Sequence, residues 1–124
     1  MELDDVKAIA VDGLGKMGVD WVANLVEGGY EVVGFDVSQE AREKSRRALE
    51  KGLGWIAKKR HPEDAAFAEE AAARFRVVES EEEFVEALAS CQVLLEVIIE
   101  DLGLKCEVLN RLAPNLPADC LLYT

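Results

Sequence analysis

The sequence predicts an α/β domain built on a doubly wound, mostly parallel sheet. Three observations carry that expectation. Short apolar runs ("KAIAV", "YEVVGF", "RVV", "VLLEVII", "CLLY") alternate with longer stretches whose apolar residues recur at three- and four-residue steps, and such alternation of strand and helix builds a parallel sheet covered on both faces. The first run passes straight into "DGLGKMG", a G-x-G-x-x-G turn at the start of a helix. The stretch between the second and third runs is long enough for two helices.

The elements follow in order. Lys7 to Val11 reads as a short buried strand. Lys16 to Glu27 is a helix with Met17, Trp21, Val22 and Leu25 on one stripe, stopped by Gly28 and Gly29. "YEVVGFD" is the second strand and closes on Asp36. Ser38 caps a long helix from about Gln39 to Arg60, with Ala41, Ser45, Ala48, Leu49, Gly52, Leu53 and Ile56 sharing a face. His61-Pro62 breaks it. Pro62 with Glu63 and Asp64 then opens a further helix through "DAAFAEEAAARF", because proline fits a first turn and acids suit the positive end of a helix. These two helices form an insertion between strands two and three. Arg76 to Val78 is the third strand, and Ser80-x-x-Glu83 is a capping box for a helix ending near Ala89. "VLLEVII" reads as a fourth strand buried on both faces, Glu100 to Leu112 as a helix, and "CLLY" as a fifth strand after the turn at Pro117.

Length and composition bound the function. A chain of 124 residues and 13.6 kDa makes one domain. Its 50% hydrophobic and 31% charged content is that of an ordinary globular protein. The acidic start "MELDDVK" carries no signal-peptide pattern, and the longest apolar run is interrupted by Glu96 and too short to span a bilayer. A cytoplasmic protein without a membrane partner is expected. Cys91, Cys106 and Cys120, odd in number and widely spaced, read as reduced thiols filling the core. With one histidine and no C-x-x-C pair, no metal site is expected. The net charge of −11 argues against nucleic acid. The charge is uneven, however: Arg42, Lys44, Arg46, Arg47, Lys51, Lys58, Lys59 and Arg60 face only Glu43 and Glu50 in the same stretch. That stretch is either a solvated helix face or a seat for an anionic ligand such as a phosphorylated carrier.

The glycine turn carries the chemistry. Gly13 permits a tight turn, Gly15 lets backbone amides approach a pyrophosphate, and Gly18 lets helix and strand pack closely. A bound anion would meet the positive end of the helix and its free N–H groups. Asp36 follows Gly18 by eighteen positions, where a carboxylate accepts hydrogen bonds from a ribose diol and repels a 2′-phosphate. A Rossmann domain binding NAD rather than NADP is the expectation. One residue is out of place: Asp12, directly before the turn, where an apolar residue usually leaves the strand. A carboxylate roughly 6 Å from a phosphate charge costs about 2–3 kcal/mol at an effective dielectric near 20. Three arrangements would relieve it: a cap on a backbone amide, protonation, or a pair with Lys16. The sequence therefore predicts weakened cofactor binding, with an Asp12→Ile variant binding more tightly.

Two stretches, "DVSQEAREKSRRALEKGLGWIAKKR" and "LLEVIIEDLGLKCEVLNRLAPNLPADCLLYT", resemble the NAD-binding, amino-terminal domain of the L-3-hydroxyacyl-CoA dehydrogenase family, and the likeness covers nearly the whole chain. The most specific feature is the helix pair after strand two; next is the pattern of Glu96, Glu100 and Lys105 after strand four. The front portion is also similar to the β-hydroxyacid dehydrogenases, which lack the helix pair, and Trp21 is similar to the carnitine and gulonate dehydrogenase branch. The resemblance implies NAD contacts along the loop of Gly13, Leu14, Gly15, Lys16, Met17 and Gly18, with Asp36 on the adenosine ribose. It also implies Glu100 and Lys105 near the nicotinamide end, and an acyl-CoA contact at Lys59, while a second such position is occupied by Gly52. In the family an Asn-Thr-Ser segment follows the position of Thr124, and then come a histidine base with its glutamate partner and a helical domain. Residues 1–124 are thus expected to be the cofactor half of an enzyme that oxidises 3-hydroxyacyl-CoA to 3-oxoacyl-CoA, cut before its catalytic segment and holding no catalytic residue. A second reading is a Rossmann scaffold repurposed around Asp12 and Tyr123, both at strand ends expected to converge where the nicotinamide or pyrophosphate would lie. Trp55, Leu122 and Tyr123 are expected to form a bare apolar surface, through which the chain would form a homo-oligomer.

Overall fold

The computed structural model describes residues 2–98 and 101–123. Strands β1 (Ala8–Asp12), β2 (Glu31–Phe35), β3 (Phe75–Val77), β4 (Val93–Glu96) and β5 (Leu121–Tyr123) form one sheet in the order β3-β2-β1-β4-β5. All four pairings are parallel. The order reverses at β1, which is central, and open parallel sheets bind ligands beyond the strand ends at such a switch point.

Strand residues alternate between the two faces, so the sheet carries two cores. Ile9, Val11 and Leu95 pack with Val22, Leu49, Leu53 and Phe75, beneath α1 (Lys16–Glu27), α2 (Gln39–Arg60) and α3 (Phe67–Ala72). Ala10, Val33 and Leu94 pack with Phe84, Leu88, Val108 and Leu112 on the other side, beneath α4 (Glu81–Leu88) and α5 (Leu102–Leu112). Each fully buried leucine of these clusters contributes roughly 1.5–3 kcal/mol relative to exposure.

The helix starts differ in a way that bears on function. The Ser38 hydroxyl accepts from the Ala41 amide at 3.1 Å, Ser80 from Glu83 at 3.2 Å, and Asp101 from Leu104 at 3.0 Å. Helix α1 has Gly15 at its cap, no side-chain cap and no acid in its first turn. Its leading N–H groups are left for something else.

Two expected elements are shorter than their patterns. The second inserted helix spans only Phe67–Ala72. The Asp64 carboxylate accepts from the Ala66 amide at 3.2 Å, and this local turn holds the chain out of helix until Phe67. At the far end the Arg74 carbonyl is drawn into the sheet by the Val32 amide at 2.9 Å. Strand β4 ends at Glu96, with Val97 and Ile98 leaving it as loop. Ile99 and Glu100 lie outside the described residues. The cysteines correct another expectation: Cys91 is buried, but Cys106 is exposed and Cys120 half-buried, and all three are free thiols.

Part of the basic stretch fastens α2 in place. Arg42 donates to the Asp36 carbonyl at 2.7 Å and pairs with Glu79, and Arg46 donates to the Phe75 carbonyl at 2.8 Å. Arg60 grips both oxygens of Glu27 at 2.8 Å. Among the described residues Arg47, Lys51, Lys58 and Lys59 make no ion pair and face solvent.

Candidate functional site: the glycine loop and the cavity beside it

The loop leaves β1 where the sheet order reverses, and its three glycines answer three different constraints. Gly13 has φ +113°, and a Cβ there would lie 2.7 Å from the Val97 carbonyl oxygen. A Cβ on Gly18 would run into the carbonyl oxygen of Gly13. A Cβ on Gly15 would meet no atom within 4 Å. Gly13 and Gly18 are thus required by the protein's own packing. Gly15 opens onto empty space in front of the uncapped α1 amides, a cradle that suits a pyrophosphate.

Asp36 holds this loop in shape. Its Oδ2 accepts from the Leu14 amide and its Oδ1 from the Ser38 amide, each at 2.8 Å. The Gly13 amide in turn donates to the Phe35 carbonyl at 2.8 Å. A carboxylate offers about four acceptor positions, so these two bonds leave capacity for ligand hydroxyls. Leu14 is buried under the loop, whereas Lys16 and Met17 are exposed on the first turn of α1.

Two hollows meet at the loop. The larger, of about 470 Å³, lies between α1 and α2 and is lined by Leu14, Gly15, Lys16, Ser38, Lys44 and Ala48 among others. The smaller, of about 270 Å³, lies on the opposite side. Asp12, Gly13 and Gly15 border it together with Phe35, Asp36, Val37, Val97, Ile98, Leu104 and Val108, and with Glu81 and Arg111. The smaller one is the better seat for the nucleoside end of a dinucleotide, because Asp36 and the loop lie in its wall and the rest is largely apolar.

Asp12 forms part of that wall. It is 6% exposed, and among the described residues no hydrogen bond or ion pair reaches its carboxylate. Neither the amide cap nor the Lys16 pair is formed. Burial, followed by the carboxylates of Glu96, Asp36 and Glu81, pushes its pKa up to about 7, against a weaker opposing pull from Arg111. Of the three arrangements that would relieve it, protonation is the one this environment favours. Glu96 is more deeply buried, yet partnered. Its Oε2 accepts from Lys105 Nζ at 3.0 Å and its Oε1 from the Ile98 amide at 3.2 Å.

The remaining expected residues are dispersed. Lys105 stands under the end of β4, against Glu96. Glu100 lies outside the described residues. Lys59 is at the far end of α2, about 22 Å along the helix from Lys44, so the fold does not bring it to the loop. Tyr123 is not joined to Asp12. It pairs in register with Leu95 and meets Trp21 of α1 at 6.4 Å between ring centroids, whereas Asp12 points to the α4 and α5 side. Strand alternation separates the two, which corrects the expectation that they converge. His61 is distant as well, bonded to Glu27 at 2.8 Å and stacked on Phe67 at 3.9 Å.

Glu81 and Arg111 were missed by sequence reasoning. They pair at 3.1 Å and border the cavity. Their place depends on how α4 and α5 cross the sheet, which no local pattern encodes. Asp12 and Glu96 each carried a signal, a charge inside a buried strand, and the two turn out to be register partners on β1 and β4.

A twisted parallel sheet with an uncapped helix behind G-x-G-x-x-G, and an acid closing the second strand, defines a Rossmann dinucleotide-binding domain. The chain belongs to the family described as 3-hydroxyacyl-CoA dehydrogenase, NAD binding domain, whose family model matches residues 8–124. NAD(H) is the family's cofactor, and the loop, Asp36 and the open α1 terminus fit it. L-carnitine dehydrogenase of Streptomyces griseus is 33% identical over 115 residues, which are 93% of this chain and 32% of that protein. Among solved structures, 3-hydroxybutyryl-CoA dehydrogenase from Escherichia coli superposes with a TM-score of 0.81 at 26% identity, over 94% of this chain and 24% of that one. A diketoreductase superposes with a TM-score of 0.83 at 19% identity, over 94% of this chain and 40% of that one, which supports the fold. The chain thus spans about a third of its curated relative's length. Among the described residues no helix is long and apolar enough to cross a membrane, and none group into a metal-binding cluster.

Proposed function

We propose that this chain is the cofactor-holding module of an oxidoreductase acting on a 3-hydroxyacyl or similar 3-hydroxy acid substrate. The observation that carries the reading is the loop itself: Gly15 opens onto empty space before the uncapped amides of α1, while the Leu14 amide is tied to Asp36. In this reading the amides of Gly15 to Met17 hold the pyrophosphate and Asp36 takes the adenosine ribose. NAD, when bound, supplies the hydride acceptor.

NAD is favoured over NADP by charge. The Asp36 carboxylate repels a 2′-phosphate, and the nearby cation, Arg42, is engaged by Glu79 and the Asp36 carbonyl. The proton chemistry of hydroxyl oxidation needs an acid or base within hydrogen-bond reach of the substrate oxygen. The single histidine is held by Glu27 and Phe67 far from the cavity, so it does not supply that group. An acyl-CoA would lie along α2, whose exposed Arg47, Lys51 and Lys59 suit its phosphates. Trp55, Leu122 and Tyr123, each exposed, are the residues through which copies would associate.

The test is to incubate the chain with NAD and (S)-3-hydroxybutyryl-CoA, measuring retained NAD by ultrafiltration and reduction by absorbance. Retained NAD without reduction is the expected result. Reduction above the blank would overturn the division of labour, and no retained NAD would overturn the cofactor assignment.

A further inference from the structure

The smaller cavity contains a charge that cofactor holding alone does not explain. Asp12 is 6% exposed and lines the cavity, and its carboxylate has no bonding partner among the described residues. The other ionisable groups facing it are engaged. Glu96 on β4 is held by Lys105, Glu81 on α4 by Arg111 of α5, and Asp36 after β2 by the Leu14 and Ser38 amides. The unpartnered oxygens of Asp12 are open to the cavity, where a donor on a ligand would bond them.

The position of the cavity says which part of a ligand that is. Asp36, assigned above to the ribose, lines the same cavity as Asp12 and Gly13. Val37, Val97, Leu104 and Val108 give the cavity apolar sides that suit a flat heterocycle. We propose that Asp12 is a specificity-determining residue that reads the purine base of the cofactor, its carboxylate accepting a hydrogen bond from the 6-amino group of adenine. The inference rests on the NAD reading above and deepens it. An ionised carboxylate accepts and cannot donate. It therefore matches the amino group of adenine and rejects the 6-keto oxygen of hypoxanthine, and sites built to bond a particular group discriminate strongly against analogues lacking it.

The experiment is a fluorescence titration at pH 8, where Asp12 is mostly ionised, following energy transfer from Trp21 and Trp55. The ligands are NADH and reduced nicotinamide hypoxanthine dinucleotide. The proteins are the unaltered chain, Asp12→Val and Asp12→Asn. The unaltered chain is expected to bind NADH at least about tenfold more tightly than the hypoxanthine cofactor, in line with the discrimination of one good base contact. In both variants the ratio falls toward one, since valine makes no hydrogen bond and an asparagine amide can rotate to serve either base. Equal affinity of the unaltered chain for both cofactors overturns the inference and leaves the NAD reading standing, and so does a preference undiminished in both variants. Saturation by neither cofactor, in any of the three proteins, overturns the NAD reading and this inference with it.

Discussion

Asp12 and Glu96 stand opposite each other on β1 and β4, both buried on the same face of the sheet, and only Glu96 is paired with a cation. The two acids end the central strands where the ligand site begins. Their unequal treatment predicts a pH response of the domain.

Stability should fall as pH rises. The carboxyl of Asp12 titrates near 3.8 when unfolded and near 7 when folded, so the folded chain holds an extra proton between those values. The stabilisation is complete below about pH 4 and is lost through pH 7, with a size on the order of 4 kcal/mol. Urea unfolding at pH 5 and pH 8 measures it. Asp12→Asn should flatten the profile; an unaltered slope would place the titrating group elsewhere.

Cofactor affinity should follow the same titration. Ionised Asp12 repels the pyrophosphate by roughly 2–3 kcal/mol, and its bond to adenine returns about 1 kcal/mol. Asp12→Ile should accordingly bind NADH several-fold more tightly than the unaltered chain at pH 8, with the gap closing toward pH 6. Calorimetry at both values checks it, and a variant that binds no more tightly at pH 8 would contradict the repulsion.

Gly15→Ala and Gly18→Ala should fail in different ways. The added methyl on Gly15 meets nothing within 4 Å, so the fold should persist with its Tm nearly unchanged while NADH binding drops at least tenfold. The methyl on Gly18 collides with the Gly13 carbonyl, and overpacking of this kind costs about 1–3 kcal/mol or more. Thermal melts paired with NADH titrations separate the two.

Lys105→Met should destabilise the chain through Glu96. Removing the cation leaves a fully buried carboxylate without its partner, and breaking such a pair costs about 3–5 kcal/mol. The double variant with Glu96→Gln should recover much of that loss in urea unfolding. No recovery would mean that Lys105 acts through other contacts.

Most of the fold was legible because its signals are local. The stop at Gly28, the Ser38 and Ser80 caps and the apolar runs of β1 and β2 set α1, α2, α4, β1 and β2 at or within a residue of their expected bounds. The inserted second helix was overread because its alanine-rich pattern hides a competing turn at Asp64 and the pull of β3 on Arg74. The site was half legible. The loop and Asp36 are adjacent in one βαβ unit, so spacing reveals them, whereas Glu81 and Arg111 reach the cavity through the packing of α4 and α5. Asp12 was visible as a misfit, but its side of the sheet, and so its separation from Tyr123, emerged only with strand alternation and pairing in place.

The most direct measurement is a parallel titration of the chain with NADH and NADPH, following energy transfer from Trp21 and Trp55. Saturable NADH binding that NADPH fails to match, lost in Gly15→Ala and weakened in Asp36→Ala, is the predicted result. Equal binding of the two cofactors, or none at millimolar concentration, would contradict the assignment of the loop and Asp36 as an NAD site.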